Sequence, residues 1–364
     1  MANILTCYYR PKPGGLCKRL FRTIEALLER GHTVHYLSVI PFPINHPNCH
    51  FHRFPWLVDK RENLLFWGVF QTLAPAMLVC LGYKHEITHI FSFGYMYSLL
   101  MQPLRLIKRI PASVFVRADA LENHKLKGRS RWLLVLEQLF EGFGIANVRC
   151  YGVSDSLTNS ITSRHRYLKP KYAGTLRNDI EQYPQRRNAK HNLCFPLKLA
   201  IVGILEKRKN QHFLLEVFEN LDPQKAQLYL YGMGPEETKL KQTVKEKCID
   251  KHVHFMGWVK PPEIWQNTDL LLMPSLHEGA PNSVLEAMSY EVPVLASDIP
   301  EHREILPEAN LLLLDNPEIW AERLSAIIEN PAQELKKLID FQKPYADCLT
   351  FDWDREICEC ILKG

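Results

Sequence analysis

A chain of 364 residues exceeds what one hydrophobic core usually serves, and its 46% hydrophobic and 23% charged residues exclude long disorder. The net charge of +5 hides an asymmetry. Residues 1–185 hold 24 Lys and Arg against 12 Asp and Glu, or +12, and the remainder holds 21 against 28, or −7, so the first half suits anionic headgroups or a phosphate-bearing acceptor.

The opening Met1–Tyr9 lacks the basic region and long apolar run of a secretion signal and predicts a first buried strand over Asn3–Cys7 in a cytoplasmic protein. A Gly14-Gly15 loop follows, where a phosphate could approach the backbone, and it leads into a helix over Gly15–Arg30. Leu64–Gly82 carries no charge, but Gln71, Thr72 and Pro75 interrupt it, so a buried or interfacial helix is expected rather than a membrane span. Strands over Thr33–Ser38, Thr88–Phe93, Ser113–Arg117, Arg149–Val153 and Ala173–Leu176, with a helix over Arg131–Phe140, complete a doubly wound α/β sheet.

The polar stretch Tyr183–Phe195 marks a domain boundary. The scheme then repeats, with strands over Leu197–Gly203, Gln227–Tyr231, Val253–Met256, Leu270–Met273, Val292–Ala296 and Leu311–Leu314. After the first of these, Lys207, Arg208 and Lys209 precede a helix, a place where a departing diphosphate could be neutralised. Tyr231-Gly232-Met233-Gly234-Pro235 is too short for a dinucleotide fingerprint. In Met273–Met288, Glu278 and Gly279 fall in a loop and Glu286 lies a turn or more into the next helix, so two acceptors can serve one cleft. Asp352-Trp353-Asp354 imitates a metal motif, but its position favours a helix cap.

The ten cysteines are scattered, and Cys358 and Cys360 have no second pair to complete a zinc site. Neither His50 with His52 nor His252 with His254 has a ligand spacing with a partner in register, so no metal is expected. The basic half is not accompanied by a recognition helix or stacking motif, and nucleic acid is not an expected partner.

The Met273–Met288 segment resembles glycosyltransferase family 4, retaining enzymes of the GT-B fold whose donor site carries two glutamates separated by seven residues. The likeness extends to Gly14-Gly15, Gly203 to Lys209, Tyr231–Pro235, Phe255–Val259 and Ser297–Glu304. It implies two Rossmann-like domains facing each other across a cleft: residues 1–185 for the acceptor, 186–345 for a nucleotide sugar, and a helical segment 346–364 packing back on the first domain. Under the resemblance Glu286 binds the donor ribose, while Glu278 and the segment after it, Gly279, Ala280, Pro281, Asn282 and Ser283, hold the sugar. Lys209 neutralises the diphosphate, helped by Gly15. Glu278, Lys209 and Asp119 become the catalytic set, and Gly14, Gly203, Arg208, Gly232, Gly234, Trp258 and Val259 join the donor contacts.

Two positions depart from the family pattern: Ile204 stands where an arginine is usual, leaving Arg208 or Lys207 to compensate, and Ala118 replaces a histidine before Asp119. The resemblance implies metal-independent, retaining transfer of a sugar from a nucleoside-diphosphate sugar, UDP or GDP, to a glycan acceptor, lipid-linked and used for surface polysaccharide or lipopolysaccharide. No cofactor is expected, and the protein would sit at the inner face of the membrane, peripherally bound to anionic lipid. A sugar-nucleotide 2-epimerase, a phosphorylase and a binding-only relative are the alternatives.

Overall fold

The computed structural model describes residues 1–12, 14–57, 63–181, 193–219 and 221–363. The chain divides into two compact units, Met1–Arg177 with Asp352–Gly364, and Asn178–Phe351. The boundary expected after residue 185 lies outside the described residues. The expected division after residue 345 falls instead after Phe351, because a helix over Pro331–Cys348 continues through it and Ile180 N–H donates to the Leu349 carbonyl at 2.9 Å.

The first unit runs β1 (Asn3–Cys7), α1 (Gly15–Glu29), β2 (Thr33–Ser38), β3 (Cys49–Arg53), α2 (Leu64–Lys84), β4 (His89–Phe93), α3 (Tyr95–Lys108), β5 (Ala112–Val116), α4 (Ala120–Leu126), α5 (Arg131–Ile145), β6 (Arg149–Gly152), α6 (Asp155–Arg164) and β7 (Tyr172–Thr175). Its parallel sheet has the order β3-β2-β1-β4-β5-β6-β7. β1 is buried along nearly its whole length because helices cover both faces of a parallel sheet. α1 buries Leu20, Ile24, Leu27 and Leu28, the helical spacing of one apolar stripe. β3, absent from the sequence reading, is an edge strand whose Cys-His-Phe-His-Arg sequence stays largely half-buried.

α2 buries Phe66, Phe70, Ala74, Leu78 and Gly82, every fourth residue. At Gly82 the helix passes close to α3, and a Cβ would lie 2.2 Å from Leu104 Cδ1, so any larger residue would have to displace that leucine. Leu64, Leu65, Leu73 and Tyr83 remain exposed, and the helix is long and apolar enough to cross a membrane.

The second unit runs β8 (Leu197–Val202), α7 (Gln211–Phe218), β9 (Ala226–Tyr231), α8 (Glu237–Glu246), β10 (Val253–Gly257), α9 (Pro261–Gln266), β11 (Leu270–Met273), α10 (Asn282–Ser289), β12 (Val294–Ser297), α11 (Pro300–Arg303), β13 (Leu311–Leu312), α12 (Pro317–Glu329) and α13 (Pro331–Cys348). Its parallel sheet has the order β10-β9-β8-β11-β12-β13. Alternating side chains feed two cores: Leu199, Ile201, Leu270 and Leu272 pack on one face, and Ala200, Leu271 and Met273 on the other. The last helix, α14 (Trp353–Leu362), belongs to the first unit. Asp352 caps it by accepting from Arg355 N–H at 2.9 Å, and Trp353 is fully buried with the guanidinium carbons of Arg19 and Arg22 at 4.9 and 5.0 Å from its ring.

Candidate functional site

In the second unit the strand order reverses between β8 and β11: β9 and β10 build outward from β8, and the chain then crosses to the other side. The loops leaving the carboxyl ends of these two strands diverge at that point, which makes a crevice the commonest ligand position in open α/β sheets. The loop after β8 carries Gly203 to Lys209, and the loop after β11 carries Glu278.

These loops are joined through one carboxylate. Glu278, 2% exposed, accepts from Lys209 Nζ at 2.6 Å and Ser275 Oγ at 2.7 Å through Oε1, and from Arg208 Nη1 at 2.7 Å through Oε2. Arg208 also donates to the His277 carbonyl at 3.1 Å and, from Nε and Nη2, to Glu206 Oε1 at 3.1 and 2.8 Å. Burial by itself would raise the Glu278 pKa, but Lys209 and Arg208 outweigh it and hold the group at about 2. Such a carboxylate is a poor proton acceptor and a good hydrogen-bond acceptor, suited to orienting a hydroxyl rather than to general base catalysis.

Glycine lets three backbone segments close around the cations. Gly203, at φ +149°, lies where a Cβ would meet Lys209 Cε at 3.2 Å. A Cβ on Gly232 would meet the Gly203 carbonyl oxygen at 2.0 Å, and one on Gly234 would meet the Leu205 carbonyl oxygen at 2.2 Å. Gly232 N–H donates to the Gly257 carbonyl at 2.7 Å, which brings in the end of β10, where Trp258 is 69% exposed and Val259 packs partly into the core.

Gly279 and Pro281 are buried and Ala280 is half-buried, and no side chain caps the start of α10. Asn282 Oδ1 accepts from Asn178 Nδ2 at 2.6 Å, and Ser283 Oγ donates to Met273 Sδ at 3.5 Å. Glu286, half-buried within α10, accepts from Trp265 Nε1 at 3.3 Å. The two glutamates therefore flank one loop, one tied toward β8 and the other toward α9.

Residues 196–330 match the family described as Glycosyl transferases group 1. The chain carries a group 1 glycosyltransferase domain. An O-antigen biosynthesis glycosyltransferase of Escherichia coli, WbnH, is 32% identical over 144 residues, 40% of each protein. The chain spans less than half the length of the first curated relatives it matches. Solved structures agree over almost the whole chain: sucrose-phosphate synthase of Thermosynechococcus elongatus has a TM-score of 0.79 at 18% identity, covering 99% of this chain and 98% of that one. The Anabaena protein HepE in complex with UDP-glucose has a TM-score of 0.74 at 16% identity, covering 99% of each. The fold is that of GT-B glycosyltransferases, an α/β architecture with two parallel sheets.

The group 1 domain holds Lys209, Arg208, Gly203, Gly232, Gly234, Trp258, Val259, Glu286 and the Glu278–Ser283 segment, and of the two basic residues offered for Ile204 it engages Arg208 with Glu278 while Lys207 is exposed. Gly14, Gly15 and Asp119 lie in the other unit. Gly14, at φ +141°, precedes the uncapped start of α1, with nothing within 4 Å of where a Cβ would stand. Asp119 is held within the first unit. It is 2% exposed, caps α4 by accepting from Glu122 N–H at 3.1 Å, pairs with Arg164 through both oxygens and accepts from Ser160 Oγ at 3.2 Å. These contacts anchor α4 to α6.

Ser275 and His302 were not singled out by sequence reasoning. His302 Nδ1 donates to the Ser297 carbonyl at 2.8 Å, its Nε2 is buried without a hydrogen-bond partner, and burial holds the imidazole below the usual histidine range despite the attraction of Glu278. The signal for it lay in the Ser297–Glu304 stretch, where only the segment and not the histidine stood out.

Proposed function

We propose that the protein is a retaining glycosyltransferase that moves a sugar from a nucleoside-diphosphate sugar, UDP- or GDP-linked, to a hydroxyl of a glycan acceptor. The observation carrying this reading is the buried Glu278 carboxylate held by Lys209 and Arg208 at the β8–β11 switch point of a group 1 domain. An ionised acceptor beside two cations suits a sugar hydroxyl next to a diphosphate, whose charge grows as the bond to C1 breaks. With Glu278 held too acidic to take the acceptor proton, we assign that proton to the departing phosphate on the same face of the sugar, which yields retention without a metal. Glu286 accepts from the ribose. The UDP-glucose bound by the neighbouring HepE structure supports a nucleotide-sugar donor, and the O-antigen enzyme WbnH supports a surface polysaccharide acceptor.

The acceptor is lipid-linked in this reading, at the cytoplasmic face of the membrane. Support comes from the +12 charge of residues 1–185 and from apolar side chains left exposed in the first unit, Leu64, Leu65 and Leu73 on α2 and Trp132, Val135 and Phe143 on α5.

The test is a panel of UDP-, GDP- and ADP-sugars offered with lipid-linked glycans. Release of nucleoside diphosphate together with a glycan whose new linkage keeps the donor's anomeric configuration is expected. An isomerised nucleotide sugar, sugar phosphate released only with added phosphate, or an inverted linkage would overturn the reading.

A further inference from the structure

A cluster unrelated to the group 1 domain lies in the first unit. In the parallel β2–β3 register His35 stands beside His50, and Leu37 beside His52. Residues two apart share a face, so His35, His50 and His52 all project from one side of this sheet edge. His85, the residue that ends α2 before the chain enters β4, meets them there. Its ring centroid lies 4.4 Å from that of His35 and 4.9 Å from that of His52, while His35 Nδ1 and His52 Nε2 are 3.0 Å apart. One nitrogen from each of His35, His52 and His85 falls within 4.8 Å of the other two. His50 stacks on His35 with centroids 4.8 Å apart and faces solvent.

We propose that His35, His52 and His85 form a binding site for a divalent transition metal of the zinc class, clipping the β2–β3 edge of the sheet to the carboxyl end of α2. Three imidazoles without a thiolate or carboxylate select zinc, copper, nickel or cobalt over magnesium or calcium. Nitrogens bound at about 2.0–2.1 Å to a tetrahedral ion stand about 3.4 Å apart, so the three rings reach an ion by closing about an ångström through side-chain rotation. The environment also leaves a ligand atom in want of a partner. His85 Nε2 is buried without a hydrogen bond, a deficit that a metal ion would remove.

Three protein nitrogens leave the fourth position of a tetrahedral ion to water. The placement is that of a structural clip, because His85 lies where α2 turns into the start of β4, away from the carboxyl ends of the strands where α/β proteins bind substrates. The ligands are 17 and 33 residues apart along the chain, and their meeting depends on a strand that the sequence reading did not contain.

The experiment titrates Co²⁺, and then Zn²⁺ by calorimetry, into the full chain stripped with chelator, and compares it with His52→Gln, His85→Gln and, as a control elsewhere in the fold, His252→Gln. Expected are one ion per chain with micromolar or tighter affinity, a visible cobalt spectrum without thiolate bands, and a zinc-dependent rise in Tm. His52→Gln and His85→Gln each weaken binding at least about tenfold, while His252→Gln binds as the wild type does. Far-UV circular dichroism of the metal-free variants establishes that they are folded, and the half-buried positions of His52 and His85 make them the safer substitutions compared with the buried His35. Absence of saturable binding, a thiolate spectrum pointing to the free cysteines, or undiminished affinity in both folded variants would overturn the proposal.

Discussion

At the scale of single residues, Glu278 joins Lys209, Arg208 and Ser275 in one buried cluster, and its environment yields two separable predictions. Replacing it by glutamine keeps the shape and removes the charge; transfer is expected to fall by at least about a hundredfold in kcat/KM, as when a positioned polar group is lost from an active site. The same variant tests linkage. Its pKa of about 2 lies below the ordinary 4.5, so the native state gains stability from the ionised form above about pH 4.5 and loses it as pH falls toward 2. Thermal melts between these values are expected to fall more steeply in the wild type than in Glu278→Gln, and parallel slopes would contradict the assigned pair. Asp119→Asn separates an anchoring role from a catalytic one. It weakens the pairing of Arg164, which among the described residues keeps only Glu141 at 3.7 Å as a carboxylate partner, and is expected to cost about 3 kcal/mol of stability in denaturant melts; initial rates then show kcat little changed in the folded molecules for an anchor, or a large loss of kcat for a catalytic group. The spacing of Glu278 and Glu286 was legible in the sequence because both lie in one continuous segment. The contacts of Asp119 were not, because its partners Arg164 and Ser160 stand 45 and 41 residues away.

At the scale of elements, the loops around the site depend on backbone contacts that only glycine permits. Gly232→Ala would drive a Cβ into the Gly203 carbonyl, so it is expected to destabilise by roughly 1–3 kcal/mol and to weaken nucleotide binding by shifting the loop that carries Lys209. Calorimetric titration with nucleoside diphosphate and a melting curve measure the two effects together. α14 offers a contrast, since Trp353 is enclosed in the first unit and Arg22 Nε pairs with Asp354 at 2.7 Å. Trp353→Ala is expected to cost about 3–5 kcal/mol, seen as earlier unfolding of the first unit by hydrogen exchange, with the second unit protected as before. Which elements could be read from the chain follows from their burial. β11 is four apolar residues buried on both faces, and its bounds were plain; β3, an edge strand of alternating histidines, has no such signature. β13 shrank to Leu311–Leu312, because strand pairing at the sheet edge extends only to Ser297 of β12.

At the scale of the whole molecule, the two parallel sheets follow from alternating apolar and amphipathic segments, whereas their strand order and the histidine cluster needed the folded arrangement. The charge difference between the halves belongs to this scale as well. Liposomes rich in anionic lipid are expected to bind the protein at low salt and release it as ionic strength rises, and indifference to them would remove the membrane part of the proposal. The central claim is that the β8–β11 switch point receives a nucleoside-diphosphate sugar through Lys209. Its most direct test is calorimetric titration of UDP-, GDP- and ADP-sugars into the wild type and into Lys209→Ala verified as folded. Saturable binding of one nucleotide class to the wild type, weakened at least about tenfold in the variant, is the expected result; equal affinity in both proteins, or no binding of any donor, would contradict it.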